Sequence, residues 1–222
     1  MKKKQILQAT RRHVRGLLSG EPTGHDWWHI ERVTRLSKRI AQKEGGDLFV
    51  IELAALLHDI ADWKFHGGDE TVGAKKAREW LQKLQIDEAT ISDVESIIQN
   101  ISYKATTKAS KMKTKEGIIV QDADRLDAIG ATGIARAFAF GGHVGIEIYN
   151  PAIKPKKFES FKDLKKIINK TTTINHFYEK LLLLKDKMNT KTGKKLAKER
   201  HKFMEQYLKQ FYKESQEAKA PT

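Results

Sequence analysis

The stretch LAALLHDIAD, residues 53–62, decides how the fold of this chain is interpreted. Its first five residues are apolar and predict a buried helix, yet His58 and Asp59 follow directly. Burying an ionised aspartate is costly unless the protein supplies partners, and the adjacent imidazole is a second polar group that needs one. A metal ion would serve both side chains, because it carries positive charge and accepts both as ligands. The pair therefore indicates a metal site on a core helix, which the pattern predicts over about residues 48–62.

The rest of the chain carries the apolar spacing of successive helices. Apolar residues recur at intervals of three or four, and strict alternation is nearly absent, with Val144–Tyr149 as a short segment that can be extended. Asp47 suits the N-cap of the apolar helix, and a polar loop is expected over residues 102–115. This pattern predicts an all-α bundle. The further helices are expected at about residues 5–19, from Gly24–Asp26 to Gly45–Gly46, and at 71–84, 87–101, 116–128, 131–140, 160–170, 172–188 and 192–215.

Length and composition are those of a soluble globular protein. The chain has 222 residues, of which 32% are charged and 39% hydrophobic, and it contains no cysteine. Disulfides and thiolate metal sites are therefore excluded. No apolar run approaches the roughly 20 residues that a membrane-spanning helix needs, and the apolar stretch after the N-terminal lysines is too short for a signal peptide. These features predict a cytoplasmic protein without a membrane partner.

The formal net charge of +14 favours anionic partners. A phosphorylated small molecule and a nucleic acid both meet that description. The sequence contains no helix-turn-helix, zinc-finger or RNA-recognition signature, so a nucleic acid is the less favoured of the two. A small phosphorylated molecule is therefore the expected partner.

A first additional source of metal ligands is the segment around His25 and His29. The two histidines are four positions apart, which is the spacing in HExxH zinc proteases. The acid that follows His25 is the shorter Asp26, however, and Gly24 puts His25 at a helix end, which argues against a protease. Taken alone, His29 can equally be a satisfied core histidine, and His25 a capping or surface residue.

A second additional source is Gln121–Asp127, which holds three aspartates in an otherwise apolar helix. Asp124 and Asp127 are three positions apart and share a helix face, whereas Asp122 points elsewhere. Ordinary surface acids that pair with Arg125 are the alternative explanation. Three such acids in one apolar helix favour a functional role for at least some of them.

Together these residues carry a family signature. The order His29, then His58-Asp59, then Asp124 resembles the H…HD…D pattern of the HD-domain metal-dependent phosphohydrolases. The intervals between these residues are usual for that superfamily, and the flanking sequences HIERV and ADRLD are similar as well. The resemblance covers about residues 20–145.

A narrower resemblance concerns VQDADRLDAIGA, residues 120–131, and FGG, residues 140–142. Both are similar to a small bacterial branch whose members cleave (deoxy)nucleoside triphosphates to monophosphate and pyrophosphate. The resemblance implies one HD-type domain over residues 1–222. Its motif core would lie at about 20–145, with C-terminal helices at about 158–215 packed on it.

The resemblance also implies roles for individual residues. His29, His58, Asp59 and Asp124 would ligate one divalent ion. An acidic catalytic residue follows the HD pair, and here it is Asp62, where other members often carry the longer glutamate. The dinuclear branch needs further histidines and reads HDxGK or HDGYP, so the text HDIAD indicates a mononuclear site.

Two imidazoles and two carboxylates leave two positions free on a six-coordinate ion. Mn²⁺ is the first candidate for that ion, and Fe²⁺, Co²⁺, Ni²⁺ and Zn²⁺ also tolerate such ligands. The free positions suit a water with a lowered pKa and a phosphoryl oxygen, with Asp62 or Asp127 as proton acceptor or orienting group. Cations must stabilise the charge that develops on the phosphate. The candidate substrate-binding residues are His25, Arg32, Lys64, His66, Lys104 and Arg125.

Three alternatives remain open from the sequence. The same metal core serves phosphohydrolases of nucleoside monophosphates and of alarmones. A regulatory metal- or nucleotide-binding module without turnover would also keep the ligands, although the complete set together with Asp62 argues against it. The sequence therefore predicts a nucleotide phosphohydrolase with a small-molecule substrate, either as a monomer or as a homodimer.

Overall fold

In the parts of the chain that the structure describes, every regular element is a helix. This computed structural model describes residues 2–61, 69, 71–101, 112–156 and 170–217. The predicted all-α class is therefore confirmed. The elements in chain order are α1 (Lys3–Leu18), α2 (Trp27–Glu44), α3 (Leu48–Leu57), α4 (Val72–Lys83), α5 (Glu88–Ile101), α6 (Lys115–Asp127), α7 (Gly130–His143), α8 (Thr173–Glu179), a 3-10 helix (Leu181–Lys187) and α9 (Lys191–Glu217).

Helix α3 is the centre of the core, since every residue after Leu48 in it is buried. The helix begins at Asp47, whose carboxylate accepts the amides of Phe49 (2.7 Å) and Val50 (3.4 Å). Helices α1, α2, α5 and α6 pack around it. A helix that is apolar on all sides needs such a shell, and each buried leucine contributes about 1.5–3 kcal/mol by leaving water. The HD pair thus follows directly on the most deeply buried element.

The prediction that this helix continues to residue 62 was wrong, because α3 ends at Leu57 and His58 is its C-cap. The carbonyl oxygen of Ala55 accepts a hydrogen bond from Nδ1 of His58 at 2.8 Å. In a continued helix that oxygen would accept the amide of Asp59. The imidazole therefore competes with the backbone for this oxygen, and Asp59 lies in the turn that follows the helix.

Helix α7 was predicted to end before the glycine pair Gly141-Gly142, but it continues to His143. A Cβ at position 141 would overlap Oγ1 of Thr173 at the start of α8. Gly141 therefore serves close packing between two helices, which a sequence pattern cannot distinguish from a helix stop.

The C-terminal part differs from its prediction in two places. The single helix expected over 172–188 is divided at Lys180, whose φ of −143° lies outside the helical region. The 3-10 helix that follows buries Leu181 and Leu184, which its three-residue period places on one side. The helix expected at 160–170 lies outside the described residues but for its last position. The segment 144–149 forms no strand, although the carbonyls of Glu147 and Ile148 accept the amides of residues 173 and 174.

Helix α9 packs on α2, α6 and α7, which attaches the C-terminal elements to the core. Its start is held by Asp122 of α6, which accepts the amides of Asn189 (2.8 Å) and Thr190 (2.7 Å). Glu44, at the end of α2, accepts the amide of Thr192 at 2.8 Å. None of the helices in the described ranges is long and apolar enough to cross a membrane.

Candidate metal centre

His29 and His58 face each other at the centre of the candidate site. His29 lies in the first turn of α2, and Asp26 caps that turn by accepting the amide of His29 at 2.8 Å. His58 closes α3. The two Nε2 atoms are 3.1 Å apart, and both residues are buried.

The hydrogen bonds of the two rings fix where their protons lie. The Nδ1 atom of His58 bonds to the carbonyl oxygen of Ala55, which can only accept. The Nδ1 atom of His29 bonds at 2.8 Å to the carboxylate of Asp127, which also accepts when ionised. Each Nδ1 therefore carries a proton, and each neutral ring presents the lone pair of its Nε2. Two such lone pairs at 3.1 Å would repel each other, so this spacing calls for a proton or a metal ion between the two nitrogens.

Two carboxylates complete the cluster. An oxygen of Asp59 lies 3.4 Å from Nε2 of His29 and 3.7 Å from Nε2 of His58. An oxygen of Asp124 lies 3.6 and 3.8 Å from the same nitrogens. Adjacent ligands at about 2.1 Å from an ion are separated by about 3 Å, and each carboxylate lies within an ångström of that separation from both nitrogens. His29, His58 and Asp59 alone already form a group that can hold a metal ion.

The electrostatics of the cluster favour bound positive charge. Burial opposes ionisation of Asp59, but the imidazoles of His58, His29 and His25 hold its pKa well below the usual range. Burial and the charge of Arg136 lower the pKa of His29, and the carboxylates of Asp127 and Asp59 outweigh them and raise it. Asp59 therefore stays ionised, and its negative charge favours a bound cation.

Asp127 lies behind His29 and is almost completely buried. In addition to Nδ1 of His29, it accepts Nε of Arg32 at 2.7 Å and a terminal nitrogen of Arg136 at 3.2 Å. Burial raises the pKa of Asp127, but these donors outweigh burial and depress it far below the usual range. A carboxylate with these donors is a weak base, so the geometry favours an orienting role over that of proton acceptor.

Two of the predicted substrate-binding arginines have other partners. Arg32 forms two hydrogen bonds to Asp127, through Nε and a terminal nitrogen. Arg125 donates to the carbonyl oxygen of Lys187 and so holds the 3-10 helix against α6. These contacts do not support the prediction that the two arginines bind phosphate, because each guanidinium donates hydrogen bonds within the protein.

His25, a predicted substrate-binding residue, lies at the edge of the cluster. Its ring lies edge-on to that of His29, with 5.8 Å between the centroids. Nδ1 of His25 is 3.2 Å from the hydroxyl of Thr23, which holds the ring in place. The predicted catalytic Asp62 and the predicted substrate-binding residues Lys64, His66 and Lys104 lie outside the described residues.

Two residues at this centre were missed by the sequence analysis. Arg136, in the apolar helix α7, was not considered, although a lone arginine in GIARAFAF, residues 133–140, is a signal that could have identified it. Asp122 was interpreted only as pointing away from the site, and it is completely buried as the cap of α9. No local sequence pattern predicts this role, because the amides that donate to Asp122 lie 67 and 68 positions later in the chain.

The family comparison agrees with this geometry. The model of the HD domain matches residues 27–129, the range that contains both histidines and all the aspartates of the cluster. The uncharacterized protein YpgQ of Bacillus subtilis (strain 168) is 38% identical over 217 residues, which cover 96% of each chain.

Solved structures resemble the whole chain. A structure of YpgQ from Bacillus subtilis in complex with ADP has a TM-score of 0.75 at 37% identity and covers 96% of this chain and 97% of that one. A protein from Lactobacillus plantarum has a TM-score of 0.83 at 35% identity, with 97% and 99% covered. A structure described as an HD-superfamily hydrolase from Bacillus thuringiensis has a TM-score of 0.73 at 42% identity, again with 97% and 99% covered. On these grounds, the chain belongs to the HD-domain superfamily of hydrolases.

Proposed function

We propose that this protein is a nucleotide phosphohydrolase that uses one divalent transition metal ion. The observation that carries the proposal is the convergence of two buried Nε2 atoms, 3.1 Å apart, with the carboxylates of Asp59 and Asp124 beside them. The donors are two nitrogens and two oxygens, so Mn²⁺ is the first candidate and Fe²⁺, Co²⁺, Ni²⁺ and Zn²⁺ are alternatives. A divalent ion held there would acidify a water molecule and polarise a phosphoryl oxygen.

The residues of the chain supply orientation and access. Ala55 and Asp127 fix the rings of His58 and His29 through their Nδ1 atoms, so both Nε2 atoms point into the cluster. The side chains of Asp59 and Asp124 are 25% and 28% exposed, which leaves one side of the cluster open to a substrate. The reacting phosphate would therefore approach from the carboxylate side.

Proton transfer and phosphate binding are assigned to Asp62 and His25, respectively. We propose Asp62 as the proton acceptor for the attacking water, following its position after the HD pair. Asp127 keeps the ring of His29 in place and takes no proton. His25, which lies beside His29 and close enough to Asp59 to lower its pKa, would donate a hydrogen bond to a phosphate oxygen.

The proposed substrate is a nucleoside triphosphate, cleaved to monophosphate and pyrophosphate. Three observations support a nucleotide. The related YpgQ was solved in complex with ADP, the net charge of this chain is +14, and the segments at 120–131 and 140–142 resemble nucleotide pyrophosphohydrolases. His25 also lies close to Asp59 at this opening, and its ring N–H could donate a hydrogen bond to a phosphate oxygen.

The test is incubation with a panel of nucleoside mono-, di- and triphosphates and alarmones in the presence of Mn²⁺. We expect pyrophosphate from triphosphates and about one metal ion per chain in purified protein. Asp59→Ala should lose both the metal and turnover, whereas Asp93→Asn, an exposed acid on α5, should keep both. Orthophosphate as the only product would replace the pyrophosphohydrolase with a phosphatase, and a protein that binds no divalent metal would refute the proposal.

A further inference from the structure

Arg136 connects two parts of the candidate site that come from distant segments of the chain. Its Nε donates to the carbonyl oxygen of Gly24 at 2.6 Å, and one of its terminal nitrogens donates to Asp127 at 3.2 Å. Its side chain is only 14% exposed. One guanidinium thus contacts both the loop before α2 and the carboxylate that orients His29.

The backbone of that loop is shaped for this contact. Gly24 has a φ of +85°, and a Cβ there would lie 3.2 Å from Cγ of Arg136, so a larger residue would be strained and crowded. The same loop carries His25, whose amide is held by Glu21 at 3.1 Å. A displacement of the carbonyl of Gly24 would therefore move the next residue, His25, relative to the metal ligands.

We propose that Arg136 is a positioning residue that couples the metal site to the loop that carries His25. The coupling runs from the ring of His29 through Asp127 and Arg136 to the carbonyl of Gly24, by three hydrogen bonds of 2.8, 3.2 and 2.6 Å. Metal binding fixes the ring of His29, and through this chain of contacts it fixes the loop. The inference rests on the proposed function, in which His25 contacts the substrate.

Arg32 offers a matched control for this proposal. It donates to the same carboxylate of Asp127, at 2.7 and 3.1 Å. Among the contacts of the described residues, Arg32 has none to the loop around Gly24. Loss of either arginine removes one positive partner from Asp127, but only loss of Arg136 separates the loop from it.

The experiment measures Mn²⁺ affinity and amide hydrogen exchange of residues 21–29, with and without Mn²⁺, in wild type, Arg136→Gln and Arg32→Gln. Removing a contact to a ligand's hydrogen-bond partner weakens metal binding by about 10–100-fold, so both variants should lose affinity. In wild type and in Arg32→Gln, Mn²⁺ should slow exchange in the loop. In Arg136→Gln, at saturating Mn²⁺, that protection should be lost.

Arg136→Lys is the second variant, in case the glutamine variant does not fold. Its single ammonium group keeps the charge but cannot replace the two separated nitrogens of the guanidinium, so loop protection should also be lost. Loop protection that persists in the folded Arg136 variants would overturn the proposal. Neither measurement requires turnover, so failure of the nucleotide assay would leave this result interpretable.

Discussion

In both His29 and His58, Nδ1 donates a hydrogen bond within the protein, and Nε2 points into the candidate metal site. For His58 the partner is the carbonyl of Ala55, three positions earlier, and for His29 it is Asp127, 98 positions later. The first contact is local and also ends α3. The second exists only because α2 and α6 pack together. Partners of this kind set the tautomer and the direction of a metal-binding ring.

Asp127→Asn tests the orienting role at the level of one residue. The amide keeps the shape but loses the charge, which leaves Arg32 and Arg136 without their common counter-ion. We expect Mn²⁺ affinity to fall about 10–100-fold and the free energy of unfolding to fall by about 3–5 kcal/mol. Metal titration and urea unfolding measure the two effects. Asp93→Asn on α5 is the control, and unchanged Mn²⁺ affinity in Asp127→Asn would show that Asp127 does not orient His29.

Among the elements, α6 makes two different uses of acidic residues. Asp124 faces the candidate metal site, whereas Asp122 points to α9 and accepts the backbone amides that precede it. Gly193 in the first turn of α9 lies against the same carboxylate, and a Cβ there would overlap it. The helix with the metal-site aspartate therefore also positions the long C-terminal helix.

Asp122→Ala should destabilise the protein through α9. The change leaves the amides of Asn189 and Thr190 without their acceptor in a buried place, and an unsatisfied buried donor costs about 1–3 kcal/mol. We expect a loss of about 2–4 kcal/mol in urea unfolding, since two amides are affected. Asp186→Ala, an exposed acid in the 3-10 helix, should change stability by less than about 0.5 kcal/mol. Equal stability of the two variants would contradict a capping role for Asp122.

For the molecule as a whole, the candidate site is an acidic cluster in a protein with a net charge of +14. Two positive charges beside it, on Arg32 and Arg136, are directed to Asp127. Asp59 remains ionised, since the imidazoles around it hold its pKa well below the usual range against the effect of burial. The net charge of the protein thus favours anionic partners, whereas the candidate metal site favours a cation.

The pKa shifts predict how the stability of the metal-free protein depends on pH. His29 has a raised pKa, so its stabilising contribution is full below about pH 6.5 and is lost as the pH rises through the folded-state pKa. Asp59 and Asp127 have depressed pKa values, so their contributions are full above about pH 4 and are lost as the pH falls. These groups together favour maximal stability between those limits.

Urea unfolding from pH 3 to 8 in the presence of a chelator measures this profile. Asp127→Asn should flatten both limbs, because it removes one depressed carboxyl and the main acceptor that raises the pKa of His29. A wild-type stability that rises steadily between pH 6 and 8 would contradict the assignment to His29. If the stability of Asp127→Asn depends on pH in the same way as that of the wild type, the contribution assigned to Asp127 is contradicted.

The residue types in the sequence by themselves determined the helical class and singled out the pair His58-Asp59, whereas His29 and Asp124 joined that pair through the resemblance to the H…HD…D pattern. The physical reason is that apolar spacing and the cost of burying charge act on residue type alone. Only the tertiary structure decided that α3 ends at Leu57 and that Asp127 holds the ring of His29. The lone arginine in α7 is visible in the sequence, but only the tertiary structure showed the contacts of Arg136, because its partners lie 9 and 112 positions away.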